Sequence, residues 1–244
     1  MVLSYLEIEN IAAATMKDFN SFFFGNTDGV KKIMPTATPI DQFASQYLNL
    51  KVSFTRLSSD GTLCGLTAYE DTEYICEIDG VIHTIPIQRN QILLDSSFIK
   101  PDNIKKLCGK RRFTLAHECA HQILYQLESD EGKLACRKLY SERRCYSLRD
   151  LKTREDWNEW QANALGAAIL MPQKEVELAM WRFNNGKKLI NYSGRMPYMN
   201  KSTIRMLCDC FGVSKSAMVI RLRQLGFLED RPFSEFHDPL EVLA

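Results

Sequence analysis

Histidine is scarce in this chain, with four in 244 residues. An excess of charge is lacking too. Lys and Arg number 31 against 30 Asp and Glu, a net charge of +1. That balance excludes a global electrostatic pull toward nucleic acid or an anionic membrane. Long apolar runs are missing. The longest stretch of only apolar residues and glycine is Ala164–Met171, far short of the roughly 20 residues a bilayer span needs. Met1–Asn20 has neither the basic start nor the apolar centre of a secretory signal. The eight cysteines show no zinc-ribbon spacing, and Cys208 and Cys210 fall two apart on an expected helix, facing different ways. We therefore expect a cytoplasmic protein with free thiols, no membrane segment, and one or two domains large enough to bury a core.

Two of the four histidines lie in one decapeptide, Arg112-Phe113-Thr114-Leu115-Ala116-His117-Glu118-Cys119-Ala120-His121. On a helix, residues four apart sit one turn above each other, so His117 and His121 can aim two imidazoles at one metal ion. Glu118, beside the first ligand, can reach a metal-bound water and take its proton. From the chain's own composition, such a His-Glu-x-x-His match arises by chance in roughly one chain in two hundred. Phe113, Ala116, Ala120, Ile123 and Leu127 recur at helical spacing and form an expected core stripe, with the two histidines along its edge. Cys119, Gln122 and Gln126 are expected on the opposite side.

A catalytic zinc takes a third protein ligand. The candidate is Glu159, on a second expected helix that turns very apolar toward Leu170 and carries Gly166 inside it. A mid-helix glycine costs about 1 kcal/mol relative to alanine, so it implies a close packing contact. Spacing alone leaves two readings of Glu159 open: a ligand, or a solvated first-turn glutamate favoured by the helix dipole. Asn163 shares its face one turn on and is a candidate hydrogen-bond partner for it.

Arg111–His121 together with Glu159-Trp160-Gln161-Ala162-Asn163-Ala164-Leu165-Gly166-Ala167-Ala168-Ile169-Leu170-Met171-Pro172 resembles the ImmA/IrrE family of metallopeptidases. The resemblance is strongest over roughly residues 90–172. It implies an α+β, zincin-like minimal metallopeptidase. It further implies zinc ligands His117, His121 and Glu159, with Glu118 as general base. The protein cut in such a family is typically a DNA-bound repressor. Cys119 stands where the family usually has a small or aliphatic residue, and we expect it to face the core or the side of the helix. The same donors leave Mn2+ open as an alternative metal. An oxyanion donor besides the metal is expected among the tyrosines, the arginines or His237.

Around these motifs, the N-terminal stretch reads as helical, with Leu6, Ile8, Ile11, Ala12, Met16, Phe19 and Phe22 on its apolar face. A second helix opens at Thr38-Pro39-Ile40-Asp41. From Lys51 to Asp95 the pattern becomes strand-like, with a hairpin turn at Asp79-Gly80, and predicts a small, mainly antiparallel sheet leading into the histidine helix. His83 near that turn reads as a solvated or packed histidine. Lys100, Lys105, Lys106, Lys110, Arg111 and Arg112 form a basic approach, either solvated or lining a cleft for acidic substrate. The charged stretch 128–156 is either a connecting segment or a lid.

Past Asn200, Ile204, Leu207, Cys208 and Phe211 line one helix. Gly212-Val213-Ser214 makes a turn, and Ala217–Leu225 continues as a second helix. This is helix–turn–helix-like, and we place a boundary between a 1–199 peptidase domain and a 200–244 segment. Lys215, Arg221 and Arg223 are its candidate contacts to DNA or a partner protein. The sequence thus predicts a zinc endopeptidase acting on a protein. The alternative is a DNA-binding regulator or toxin–antitoxin component with a structural or vestigial metal site.

Overall fold

The computed structural model describes residues 2–25, 33–134 and 154–236. The chain divides into two compact units, one of Met1–Thr27 with Pro39–Leu170, the other of Asp28–Thr38 with Met171–Ala244. The boundary expected at 199/200 falls inside a helix, Tyr198–Phe211. The division comes instead at Leu170, where Pro172 lacks the N–H that would continue the helix.

In the first unit, helix α1 spans Tyr5–Phe24. Its capping box is complete: Glu7 N–H donates to Ser4 Oγ, and Ser4 N–H donates to Glu7 Oε2 at 2.7 Å. Ile8, Ala12, Met16 and Phe19 are buried at three- and four-residue intervals, whereas Leu6 and Phe22 from the expected face lie exposed. Phe19 meets Phe43 edge-on at 5.1 Å between ring centroids, which joins α1 to the next helical segment. That segment begins as α2, Ile40–Gln42, and widens to a π-helical turn over Phe43–Tyr47.

The strands are β1 (Lys51–Thr55), β2 (Gly65–Thr67), β3 (Thr72–Ile78), β4 (Val81–Ile87) and β5 (Gln91–Asp95). They do not form one mainly antiparallel sheet, as the pattern suggested. The order is β1-β5-β2, with β1 parallel to β5 and β2 antiparallel to it. The hairpin β3–β4 forms a ladder of its own. Alternation reports which face a strand buries, but the neighbour is chosen by the long connection from β1 to β5, and a parallel pair needs such a crossover. At the hairpin tip Asp79 and Gly80 both take positive φ, 54° and 80°, as a type I′ turn requires. His83 is exposed, in line with the solvated reading.

In the second unit, α5 (Gln173–Asn184) ends at Asn185 in the left-handed region. Two strands that the polarity of the sequence concealed follow: β6 (Leu189–Tyr192) pairs in parallel with β7 (Leu228–Arg231). Between them lie α6 (Tyr198–Phe211) and α7 (Lys215–Gln224), joined through Gly212 at φ 63° and capped by Ser214, whose hydroxyl accepts from Ala217 N–H at 3.2 Å. Two of the three candidate DNA contacts on these helices are engaged inside the unit. Arg221 is 0% exposed and its Nε donates to Met171 O at 3.0 Å. Arg223 spends its guanidinium on Asp230, at 2.8 and 2.9 Å. Only Lys215 of the three is exposed without such a pairing. An arginine at the Arg221 register faces the core of its own unit, a fact that depends on which helix face is covered.

Arg221→Ala should therefore cost about 3 kcal/mol or more, because it leaves a buried carbonyl without its donor and opens a cavity. Lys215→Ala should stay within about 0.5 kcal/mol. Urea unfolding of the two variants checks both, and equal costs would contradict the assigned burial.

Candidate metal centre

Two helices of the first unit carry the candidate ligands: α3 (Cys108–Leu127) and α4 (Arg154–Leu170). Helix α3 is covered on more sides than its apolar pattern implies. Leu115, Ala116, Cys119, Ala120 and Leu124 are buried, and so is Gln122, while Leu127 of the expected stripe is exposed. Cys119 and Gln122 thus do not lie on an open opposite side. Gln122 is buried because it is bonded: its Nε2 donates to Thr67 Oγ1 at 2.6 Å and to Ala68 O at 2.9 Å. Thr67 passes its own proton to Gln91 O. This chain of bonds ties α3 to β2 and β5, and the stacked rings of Tyr69 and Tyr125, 4.0 Å apart, extend the contact. At its N-terminal end Arg111 forks onto Asp41 at 2.7 and 2.9 Å. Those hydrogen bonds hold the Asp41 carboxyl below its ordinary value. Of the expected basic approach, Lys100, Lys105, Lys106 and Lys110 are exposed, whereas Arg111 belongs to this brace.

Helix α4 is buried almost without interruption from Ala164 to Leu170. Gly166 explains how close it comes to α3: a Cβ built there would lie 3.0 Å from His117 N and 3.1 Å from Ala116 C. Gln161, also buried, accepts Leu3 N–H at 2.7 Å and so ties α4 to the N-terminal segment. Glu159 is the sixth residue of the helix, beyond the first turn where the dipole would favour a solvated carboxylate.

His117 Nε2 and His121 Nε2 are 3.0 Å apart, each 3.2 Å from an oxygen of Glu159. His117, His121 and Glu159 form the cluster among the described residues that could hold a metal ion. Donors about 2.0–2.1 Å from a tetrahedral zinc lie about 3.3 Å from one another, so these separations fit such an ion. Burial pushes the His121 imidazole below its ordinary value despite the carboxylate beside it, which keeps its lone pair free to coordinate. Burial would raise Glu159, but its contacts with His121 and His117 outweigh that and hold the carboxyl well below the usual range. Glu118 is 2% exposed, and its Oε2 has no hydrogen-bond partner among the described residues. A buried carboxylate oxygen with no donor is costly unless a cation or a bound water answers it. The donor set and the orphaned oxygen therefore both fit a metal with a water beside it.

The model of the M78 peptidase family, described as the IrrE N-terminal-like domain, matches residues 108–223. This stretch belongs to the ImmA/IrrE family. The matched region opens on the first residue of α3 and runs through α4 into α7. No curated protein matches the chain. A Mycobacterium tuberculosis transcriptional regulator is similar in structure, at 15% identity and a TM-score of 0.44, over 87% of this chain and 55% of that one. The chain thus spans about half the length of that structure, 55%.

Within the matched stretch, Asn163 is half-buried and, among the described residues, makes no hydrogen bond to Glu159. Cys119 lies in the core and is not among the clustered donors, and burial pushes its thiol well above the ordinary value. His237 and most of the charged stretch 128–156, namely 135–153, lie outside the described residues. Sequence reasoning passed over Gly65 and Gln161, and put Gln122 on the side opposite the core stripe. Only Gly65 carried a usable signal, since an isolated glycine within a strand pattern marks a close approach.

Gly166→Ala should reverse the usual gain from replacing a helical glycine. The added methyl meets backbone, which cannot swing aside, so α3 and α4 must part by a few tenths of an ångström. We expect a loss of about 1–3 kcal/mol in urea unfolding and a roughly tenfold weaker metal affinity in chelator competition. A stabilised variant with unchanged affinity would refute the contact.

Proposed function

We propose that this chain is a zinc-dependent endopeptidase that adds water across a peptide bond of a protein substrate. The observation that carries the reading is the meeting of His117, His121 and Glu159 from two helices, with the buried, unpartnered Glu118 carboxylate next to the first histidine. Family membership of 108–223 supports it independently. When bound, the ion supplies a Lewis acid that polarises the scissile carbonyl and acidifies a water. His117 and His121 would hold it as neutral donors, and Glu159 contributes the single negative charge of the set. Two neutral ligands and one anion leave a dication with most of its acidity. Glu118 takes the proton of the attacking water and returns it to the leaving amine. Its burial removes competing solvent donors, so the proton exchanges with the reacting groups. The family resemblance points to a DNA-bound repressor as the protein cut, in the cytoplasm, where thiols such as Cys64 and Cys108 stay free. No helix of the described residues is long and apolar enough to cross a membrane.

Metal content of the purified chain tests the site. We expect about one zinc per chain by mass spectrometry, lost or much weakened in Glu159→Ala. A wild type that neither carries nor takes up a divalent metal sinks the proposal, and manganese in place of zinc would change only the ion. Glu118→Gln separates catalysis from binding. It should keep the metal and the fold, yet slow hydrolysis of the protein cut by the wild type by at least about 100-fold. Undiminished cleavage by Glu118→Gln would remove Glu118 from the mechanism.

A further inference from the structure

Gly65, the first residue of β2, is buried opposite α3. A Cβ built on it would lie 2.6 Å from Thr114 Cγ2, 2.9 Å from Glu118 Oε1 and 3.1 Å from Glu118 Cγ. Non-bonded carbons rest at about 3.5–4.0 Å, so no side chain fits at position 65 while Glu118 keeps its present position. The backbone gives no other reason for a glycine. Gly65 is absent from the positive-φ residues, and a glycine inside a strand weakens it. The reason lies in what faces it. Thr114 is held, its χ1 restricted by β-branching on a helix and its Oγ1 bonded to Lys110 O at 3.0 Å. The Glu118 carboxylate ends a flexible side chain, and no hydrogen bond fixes its Oε2. What fixes it is shape.

We propose that Gly65 is a positioning residue for Glu118: the side chain missing from β2 is the recess that receives the Glu118 carboxylate and sets where it stands. Any side chain at 65 displaces that carboxylate and leaves the His117, His121 and Glu159 cluster on its own two helices intact. The inference rests on the reading of Glu118 as the proton acceptor. It adds that the acceptor's position is dictated by a strand, outside the helix that carries it.

The test pairs Gly65→Ala with Thr114→Ser. Serine removes the methyl group in the way and keeps the hydroxyl bond to Lys110, so only Glu118 obstructs the new methyl. In the full zinc-loaded chain, affinity for acetohydroxamate is measured by calorimetry, and zinc affinity by chelator competition. Acetohydroxamate binds the metal and presents a hydroxyl to a neighbouring carboxylate. We expect its affinity to fall about tenfold in the double variant, with zinc affinity within about twofold. Repeated in a Glu118→Ala background, the same two changes should cost nothing more, because the atoms they displace are gone. An equal loss in both backgrounds, or no loss in either, overturns the proposal. Glu118→Ala alone reports on the underlying reading, since unchanged hydroxamate affinity there would remove the proton acceptor regardless of Gly65. Melting curves test the recess without any metal. The double change must be more favourable by several degrees when Glu118 is already alanine, and equal shifts in both backgrounds refute it.

Discussion

Everything at the proposed centre depends on how closely two helices approach at one glycine. Gly166 of α4 lies against the backbone of Ala116 and His117 in α3, so close that a methyl group there would push the helices apart. The histidines come as a pair from one helix, and their relative placement is a property of helical geometry alone. Glu159 comes from another, and it reaches both Nε2 atoms at 3.2 Å only because the axes are this near. Helix packing normally keeps axes 8–10 Å apart, set by the side chains at the contact, so a missing side chain is the means of shortening that distance.

The remaining contacts hold α3 from its other sides. Gln122 fastens it to β2 through Thr67 and Ala68, Arg111 braces its first turns against Asp41, and Tyr125 stacks on Tyr69. Each is a polar or aromatic anchor at a defined point, and together they fix the rotation of the helix as well as its position. Rotation decides which residues are buried, and it puts Glu118 inside with an oxygen that no protein donor satisfies. Such a group lowers stability on its own account, and sites where chemistry occurs are where proteins carry that kind of cost. Gly65 completes the surroundings by offering space where another strand residue would offer bulk.

The second unit shows how cationic side chains that read as an interface can be engaged within their own unit. Arg221 and Arg223 share a basic helix in the sequence, but one is enclosed with its Nε on Met171 O, and the other is matched to Asp230 on β7. Strand β7 and its parallel partner β6 were hidden because Leu228–Arg231 and Leu189–Tyr192 are short and partly polar. Parallel partners far apart in sequence leave no local trace of each other. The same difficulty affected the first sheet, where the strands were legible one by one, and the parallel pairing of β1 with β5 was not.

The sequence by itself determined the longer helices, the hairpin and the pairing of two histidines with a glutamate. Helical spacing puts His117 and His121 on one face, a glutamate follows the first of them, and the Asp79-Gly80 turn specifies its hairpin. These are local properties, fixed within a turn or two of chain by backbone geometry. Tertiary structure decided that Glu159 lies beside both histidines, that Cys119 and Gln122 face inward, and that Arg221 is enclosed. It also decided what Gly65 and Gly166 meet: they are the positions where a strand and a helix come closest to α3. Burial and proximity are relations between segments distant in the chain, so they come into existence only when those segments pack.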